Sequence, residues 1–159
     1  MKMEVNAIPE GYQNITPVLV VKDGLKAIEY YKKVFGAVDN GTMMMPDGKS
    51  VAHAELMIGN SKIMLSDEFP EMKCLSPKSI GGSPVYLYLY VEDVDKTFNL
   101  AVSEGAKILD PVKDQFWGDR HGSIQDPFGH IWSISTRIKE LSKEEMKKAA
   151  EEAFSKMSK

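Results

Sequence analysis

Apolar and polar positions along the chain form a pattern that occurs twice. Around residue 20 the sequence VVKDGLKAIEYYKKVFGA passes from an apolar strand into apolar residues spaced by three and four, and near residue 90 YVEDVDKTFNLAVSEGA does the same. Asp23 and Asp93 stand 70 residues apart, as do Lys26 and Lys96, Ala27 and Thr97, and Ile28 and Phe98, while Gly36 and Gly105 close the segments one residue out of step. A duplicated supersecondary unit accounts for this spacing. Each copy is predicted to open with a strand, Ile15 to Val21 and Val85 to Val91, followed by an aspartate whose carboxylate can accept a free backbone N–H at a helix start. Leu25, Ile28, Tyr31 and Phe35 form the inward stripe of the first helix, and Val94, Phe98, Ala101 and Val102 that of the second, with a glycine to stop each. Alternating segments follow, with turns at Pro46-Asp47-Gly48, Gly59-Asn60, Trp117-Gly118-Asp119 and Asp126-Pro127-Phe128-Gly129. The predicted order is strand, helix, three strands, twice over.

Residues 67–84, with three prolines and two glycines, separate the copies as a linker or as a lid over a pocket. Residues 139–159 form a tail in which Ser142 and Glu145 make a capping box and Met146, Ala149, Ala150, Ala153, Phe154 and Met157 form one apolar stripe. That stripe can dock on its own domain or across a dimer. We read residues 1–159 as a single domain, with module one at about 12–66, the linker 67–84, module two at 85–136 and the helical tail at 139–159.

Strand parity divides the faces. In Val85 to Val91 one face is aliphatic and the other carries Tyr86, Tyr88 and Tyr90; helix packing should take the aliphatic set and leave the tyrosines to line a binding surface, an interface or an edge. Ala52, Ala54, Leu56 and Ile58 are expected to face a helix, leaving Val51, His53, Glu55 and Met57 opposite. His53 and Glu55 then lie about 7 Å apart along the strand, where they could move a proton, hold a cation, bind a polar ligand or form a plain surface pair. In FWGDRHG, Trp117 and Arg120 could meet an aromatic or anionic ligand, or Arg120 could pair with Asp119 or across strands to stiffen a hairpin. His130 is read as a packed or edge residue.

The chain has 159 residues with 20 basic and 23 acidic, a formal charge of -3 without the basic footprint of a nucleic-acid binder. Its one cysteine, Cys74, has no internal partner and no local base, which fits a reducing compartment and an incidental thiol. No leader-like apolar run opens the sequence, and none approaches the length of a membrane span, so a soluble cytoplasmic protein is expected. Nucleotide loops, nucleophile elbows and paired cysteine motifs are absent.

The segments TPVLVVKDGLKAIEYYKKVFGA, MPDGKSVAHAELMIGNSKIMLSDEFPE and FWGDRHGSIQDPFGHIWSIST, with the tail ELSKEEMKKAAEEAF, resemble the PhnB-like branch of the vicinal-oxygen-chelate superfamily of glyoxalases, bleomycin-resistance proteins and extradiol dioxygenases. The likeness runs from about Tyr12 to Phe154. It implies an α+β fold of two repeated βαβββ modules forming a curled mixed-sheet cup, plus a C-terminal helix, commonly as a homodimer. It also implies four metal-ligand positions, which in this sequence fall on Thr16, Met64, Tyr86 and Ser133. Neutral hydroxyls and a thioether are poor ligands for a divalent ion, so no metal and no cofactor are expected. The resulting expectation is a small-molecule binding protein, with resistance by sequestration as one mechanism and Thr16, Met64, Tyr86, Tyr88, Trp117, Arg120 and Ser133 as candidate ligand contacts. Two alternatives stay open: a lyase, isomerase or dioxygenase using His53 and Glu55, and a non-catalytic interaction scaffold.

Overall fold

Each half of the chain builds a four-stranded mixed sheet with a helix between its first two strands. The computed structural model describes residues 5–157. It divides into two compact units between Gly82 and Ser83.

In the first unit the order is β1 (Val18–Val21), α1 (Gly24–Phe35), β2 (Val38–Met44), β3 (Val51–Ile58) and β4 (Ser61–Asp67), hydrogen-bonded as β1-β4-β3-β2. The second unit runs β5 (Tyr86–Tyr90), α3 (Val94–Ser103), β6 (Lys107–Asp114), β7 (Asp119–Gln125) and β8 (Ile131–Arg137), bonded as β5-β8-β7-β6. The first and last strands of each module pair in parallel and the other pairs are antiparallel. A short helix α2 (Pro77–Ile80) lies in the segment between the modules, and α4 (Lys143–Met157) follows β8. No helix among the described residues is long and apolar enough to cross a membrane.

The two βαβββ modules and the α+β arrangement agree with the expectation, but the curled cup does not. There are two separate open sheets, ending at β1 and β2 in one and at β5 and β6 in the other, and neither closes or curls strongly. Pairing the first strand of a module with its last puts the first and second strands on opposite edges. Apolar alternation specifies which face of a strand is buried, whereas curvature depends on twist and bulges that alternation does not encode.

The helices start where their caps dictate. Asp23 Oδ1 accepts the Lys26 N–H at 3.2 Å and Asp93 Oδ1 the Lys96 N–H at 3.0 Å. Each helix start is also tied to the end of its module's last strand: the Gly24 N–H reaches Asp67 Oδ1 at 3.0 Å, and the Val94 N–H reaches Thr136 Oγ1 at 2.9 Å. Asp67 further accepts the Val51 N–H at 2.7 Å. A side chain at Gly24 would place its Cβ 2.8 Å from Val51 Cβ, so glycine permits this close approach of helix and sheet. The tail helix has the capping box in full, with Ser142 N–H to Glu145 Oε2 at 2.8 Å and Glu145 N–H to Ser142 Oγ at 3.2 Å.

The cores lie between helix and sheet. Ile28, Tyr31 and Val34 of α1 are buried, as are Ala54, Leu56 and Leu65, while Phe98 and Ala101 of α3 are buried with Ile124, Trp132 and Ile134. Three expectations shift. Val51, placed by parity opposite Ala54, is fully buried on the α1 side, because Met43 pairs with His53 and Met44 with Val51, leaving Ala52 as an extra residue in a bulge that resets the alternation. Leu25 is 45% exposed, since the stripe of α1 is narrower than its apolar spacing suggests. Leu87 and Leu89 face the helix side but are only half-buried, as befits the edge strand β5.

Candidate functional site

On β5, β8 and β7 of the second unit, directly paired residues share a face. Leu89, Ile134 and Gly122 fall on the α3 side; a Cβ at Gly122 would lie 2.7 Å from Phe98 Cε2. The other face carries Tyr86, Tyr88 and Tyr90 of β5, Ser133 and Ser135 of β8, and Asp119, His121 and Ser123 of β7. Ser123, Ser133 and Ser135 are buried while the tyrosines are exposed, so short hydroxyl side chains form a floor beside an aromatic edge.

Asp119 organises that face. Its Oδ2 accepts three hydrogen bonds, from the Tyr88 hydroxyl at 2.9 Å, the Tyr90 hydroxyl at 2.9 Å and Trp117 Nε1 at 3.1 Å. Ser135 Oγ donates to the Tyr88 hydroxyl at 2.8 Å. The hydrogen bond to Asp119, followed by burial and the carboxylate charge, pushes the Tyr90 hydroxyl up to about 12. His121 lies nearly parallel to Tyr88 with ring centroids 5.6 Å apart, and Trp117 meets it at 5.8 Å with its ring tilted by 65°. Burial lowers the His121 pKa from its ordinary value, opposed by the nearby charges of Asp110 and Asp119. Its Nδ1 is buried and has no hydrogen-bond partner.

Of the residues singled out in this module, Tyr86, Tyr88, Ser133 and Trp117 therefore belong to one sheet face or its rim. Arg120 does not. Its parity puts it on the α3 side, where Nε and Nη2 hold Asp95 at 2.7 and 2.8 Å and Nη1 holds Asp114 at 2.9 Å. Asp114 is its partner across β6 and β7, so the inter-strand ion pair is present, with Asp95 rather than Asp119 as the second carboxylate. Those pairs raise the arginine pKa well above its ordinary value and lower that of Asp95. His130 lies in the turn that Asp126 holds by accepting the Phe128 and His130 N–H groups at 2.9 and 3.0 Å and Trp132 Nε1 at 2.9 Å.

In the first unit, His53 and Glu55 share a face with His53 Nε2 3.7 Å from Glu55 Oε1, beyond hydrogen-bond length. Glu55 is also approached by Lys62 Nζ at 3.6 Å, and Lys62 in turn sits 3.6 Å above the centre of the Tyr12 ring. The Tyr12 hydroxyl, then Lys62 and His53, lower the Glu55 pKa from its ordinary value. Glu55 is thus a fixed negative charge more than a proton acceptor at neutral pH. Met64 is paired with Glu55 across β3 and β4, and Thr16 precedes β1.

Thr16, Met64, Tyr86 and Ser133 do not fit a divalent ion. Their atoms are neutral hydroxyls and a thioether, where such an ion wants carboxylate, imidazole or thiolate. Among the described residues, no three of His, Cys, Asp and Glu gather as a metal-binding group. Sequence reasoning underrated Asp119, whose part it limited to pairing with Arg120. The available signal was the alternation of Asp119, His121 and Ser123 with Arg120, Gly122 and Ile124, a polar face on a strand whose residues are nearly all buried.

Residues 14–134 match the Glyoxalase/Bleomycin resistance protein/Dioxygenase superfamily, and the chain belongs to that superfamily. An uncharacterised protein of Mycobacterium bovis is 41% identical over 150 residues, spanning 92% of this chain and 95% of that protein. Among solved structures, the PhnB protein of Bacillus cereus matches with a TM-score of 0.61 and 19% identity over 78% of this chain and 99% of that one. The fosfomycin resistance protein FosX of Listeria monocytogenes, in complex with Mn(II) and sulfate, matches with a TM-score of 0.61 and 16% identity over 86% and 95%. At these identities the two structures speak for the fold alone.

Proposed function

We propose that this protein binds a small organic molecule without a divalent metal, on the polar and aromatic face of its second unit. The observation that carries the reading is a substitution of chemistry. The four positions where the superfamily places metal ligands hold Thr16, Met64, Tyr86 and Ser133, while the sheet face that bears Tyr86 and Ser133 also presents Tyr88, Trp117 and His121 around the buried Asp119. Aromatic rings with a few fixed polar groups are the usual lining of a small-molecule site. Capture needs no covalent step, so protection of a cell by sequestration is compatible with it. The FosX relative carries Mn(II), which this donor set does not suit. The PhnB-like branch is the assignment we favour, supported by the order of sequence segments and by the fold of the Bacillus cereus protein. We also favour a cytoplasmic homodimer, since each sheet ends in strands with an unpaired side in their own sheet. Sedimentation equilibrium at micromolar concentration should give twice the chain mass; a monomer throughout would end the dimer proposal.

The catalytic alternative at His53 and Glu55 gains from their proximity, but the company of Tyr12 and Lys62 leaves Glu55 poorly suited as a base. The test is a thermal-shift screen of small organic compounds run with and without chelator. A compound that stabilises wild type equally in both conditions, and fails with Trp117→Ala, supports the proposal. Stabilisation that requires an added divalent ion would overturn it.

A further inference from the structure

Asp119 is 3% exposed, yet among the described residues it forms no ion pair. The two basic residues nearest to it by register are directed elsewhere. Arg137, its direct partner across β7 and β8, turns to Glu140 at 3.9 Å and to the Lys139 carbonyl at 3.4 Å. Lys113, paired with His121 across β6 and β7, holds Asp110 at 2.9 Å. His121, two residues on along the same face, is kept uncharged at neutral pH by its burial, and its Nδ1 bonds to nothing. A buried carboxylate is costly to desolvate, and proteins ordinarily give it a positive partner. Here three neutral donors take that place.

Those donors also decide what the face shows to a ligand. The O–H groups of Tyr88 and Tyr90 and the indole N–H of Trp117 all point to Asp119 Oδ2, so their positive hydrogens are withdrawn from the surface. The Tyr88 hydroxyl oxygen also accepts from Ser135 Oγ, so what the tyrosines leave exposed is chiefly their electron-rich rings. Tyr90, Tyr88, His121 and Trp117 follow one another at centroid spacings of 5.2, 5.6 and 5.8 Å, an unbroken aromatic arc over one negative charge. Tyr88 is 47% and Tyr90 60% exposed, so the arc is open. A ring quadrupole attracts cations and repels anions, and a nearby carboxylate reinforces both preferences.

We propose that the ligand of this face is an organic cation, an alkyl- or arylammonium ion, which rests on the Tyr88, Tyr90 and Trp117 rings and supplies the positive charge that Asp119 lacks. The inference rests on the small-molecule reading above and adds the charge class. Three soluble probes share one ring and differ in charge: benzyltrimethylammonium, benzyl alcohol and benzoate. Binding is read from the indole N–H resonance of Trp117 in a nitrogen-labelled sample, which reports the bond to Asp119 directly, with chelator present throughout.

We expect a saturable shift with benzyltrimethylammonium, affinity for benzyl alcohol lower by about 10-fold or more, and no site-specific shift with benzoate. Asp119→Asn should weaken the cation by about 10-fold more than it weakens the alcohol, provided its spectrum remains that of a folded chain. The comparison of probes on wild type stands even where that variant fails to fold. Alcohol or benzoate binding as tightly as the cation would overturn the charge class and leave metal-free binding intact. Absence of any shift with the cation would overturn the inference. A shift that appears only when the chelator is replaced by Mn²⁺ would overturn both it and the metal-free reading.

Discussion

Gly122→Ala tests the division of the second sheet into a helix face and a polar, aromatic face opposite it. Gly122 lies within β7, on the α3 side, with no positive φ to demand glycine. On an open strand, alanine would therefore stabilise by about 0.5–1 kcal/mol through the lost freedom of the unfolded glycine. Here the new Cβ would stand 2.7 Å from Phe98 Cε2, 2.9 Å from Val112 Cγ2 and 3.0 Å from Phe98 Cδ2, all inside contact distance. Phe98 is 4% exposed, so its ring is a packed one and not a mobile surface group that can swing aside freely. Overpacking of this kind costs about 1–3 kcal/mol, about 2 at its centre, which outweighs the backbone gain of about 0.5–1 and leaves a net loss of about 1–1.5 kcal/mol. For a chain of this size, at about 2–4 °C per kcal/mol, that is a fall in Tm of roughly 2–6 °C. Differential scanning calorimetry of wild type, G122A, F98L and the double variant measures it. The alanine should cost less in the F98L background, because the smaller side chain gives room. A higher Tm in G122A, with no coupling to F98L, would mean that α3 does not cover this face and that the assignment of Tyr88, Asp119 and Ser133 to the opposite one is wrong.

The same logic separates a central from an edge strand. Ile134→Ala, at a fully buried position of β8, should cost about 2–5 kcal/mol by urea unfolding, and Leu89→Ala, half-buried on β5, about 1–2 kcal/mol; equal costs would contradict the edge position of β5. His121 gives the pH dependence. Its folded pKa lies below the unfolded value of about 6.5, so as pH falls through 6.5 the unfolded chain takes up the proton first and stability drops, until the folded ring is protonated as well. The urea midpoint should fall more between pH 7.5 and 5.5 for wild type than for His121→Phe, which keeps a ring beside Tyr88; parallel pH profiles would show that His121 is not strained by burial.

Much of this was legible in the sequence. The 70-residue repeat located both helices, their aspartate caps and the strand order, because capping and apolar period are local properties of the chain. Alternation in β5 correctly turned the tyrosines away from the helix side. It failed at Val51, where a single bulged residue, Ala52, inverted the parity without any sign in residue type. The arrangement of the sheets was illegible for a related reason: the curl of a sheet is a property of pairing and twist between strands distant in sequence. The candidate face was legible by residue type but not by partner. Trp117 and Tyr88 stood out by type, yet only the register of β5, β8 and β7 brings their polar atoms onto Asp119 and sends the adjacent Arg120 to Asp95.

We propose above that ligand binding by this member of the superfamily does not depend on a divalent ion. Calorimetric titration of the chelator-treated protein with Zn²⁺, Ni²⁺, Mn²⁺ and Fe²⁺, paired with elemental analysis, tests it most directly. The donor chemistry of Thr16, Met64, Tyr86 and Ser133 predicts no stoichiometric site for any of the four. One tightly held ion per chain, lost on Met64→Ala and Ser133→Ala, would refute the argument from ligand chemistry; the same ion lost instead on His53→Ala and Glu55→Ala would move the functional centre to the first unit and restore the catalytic alternative.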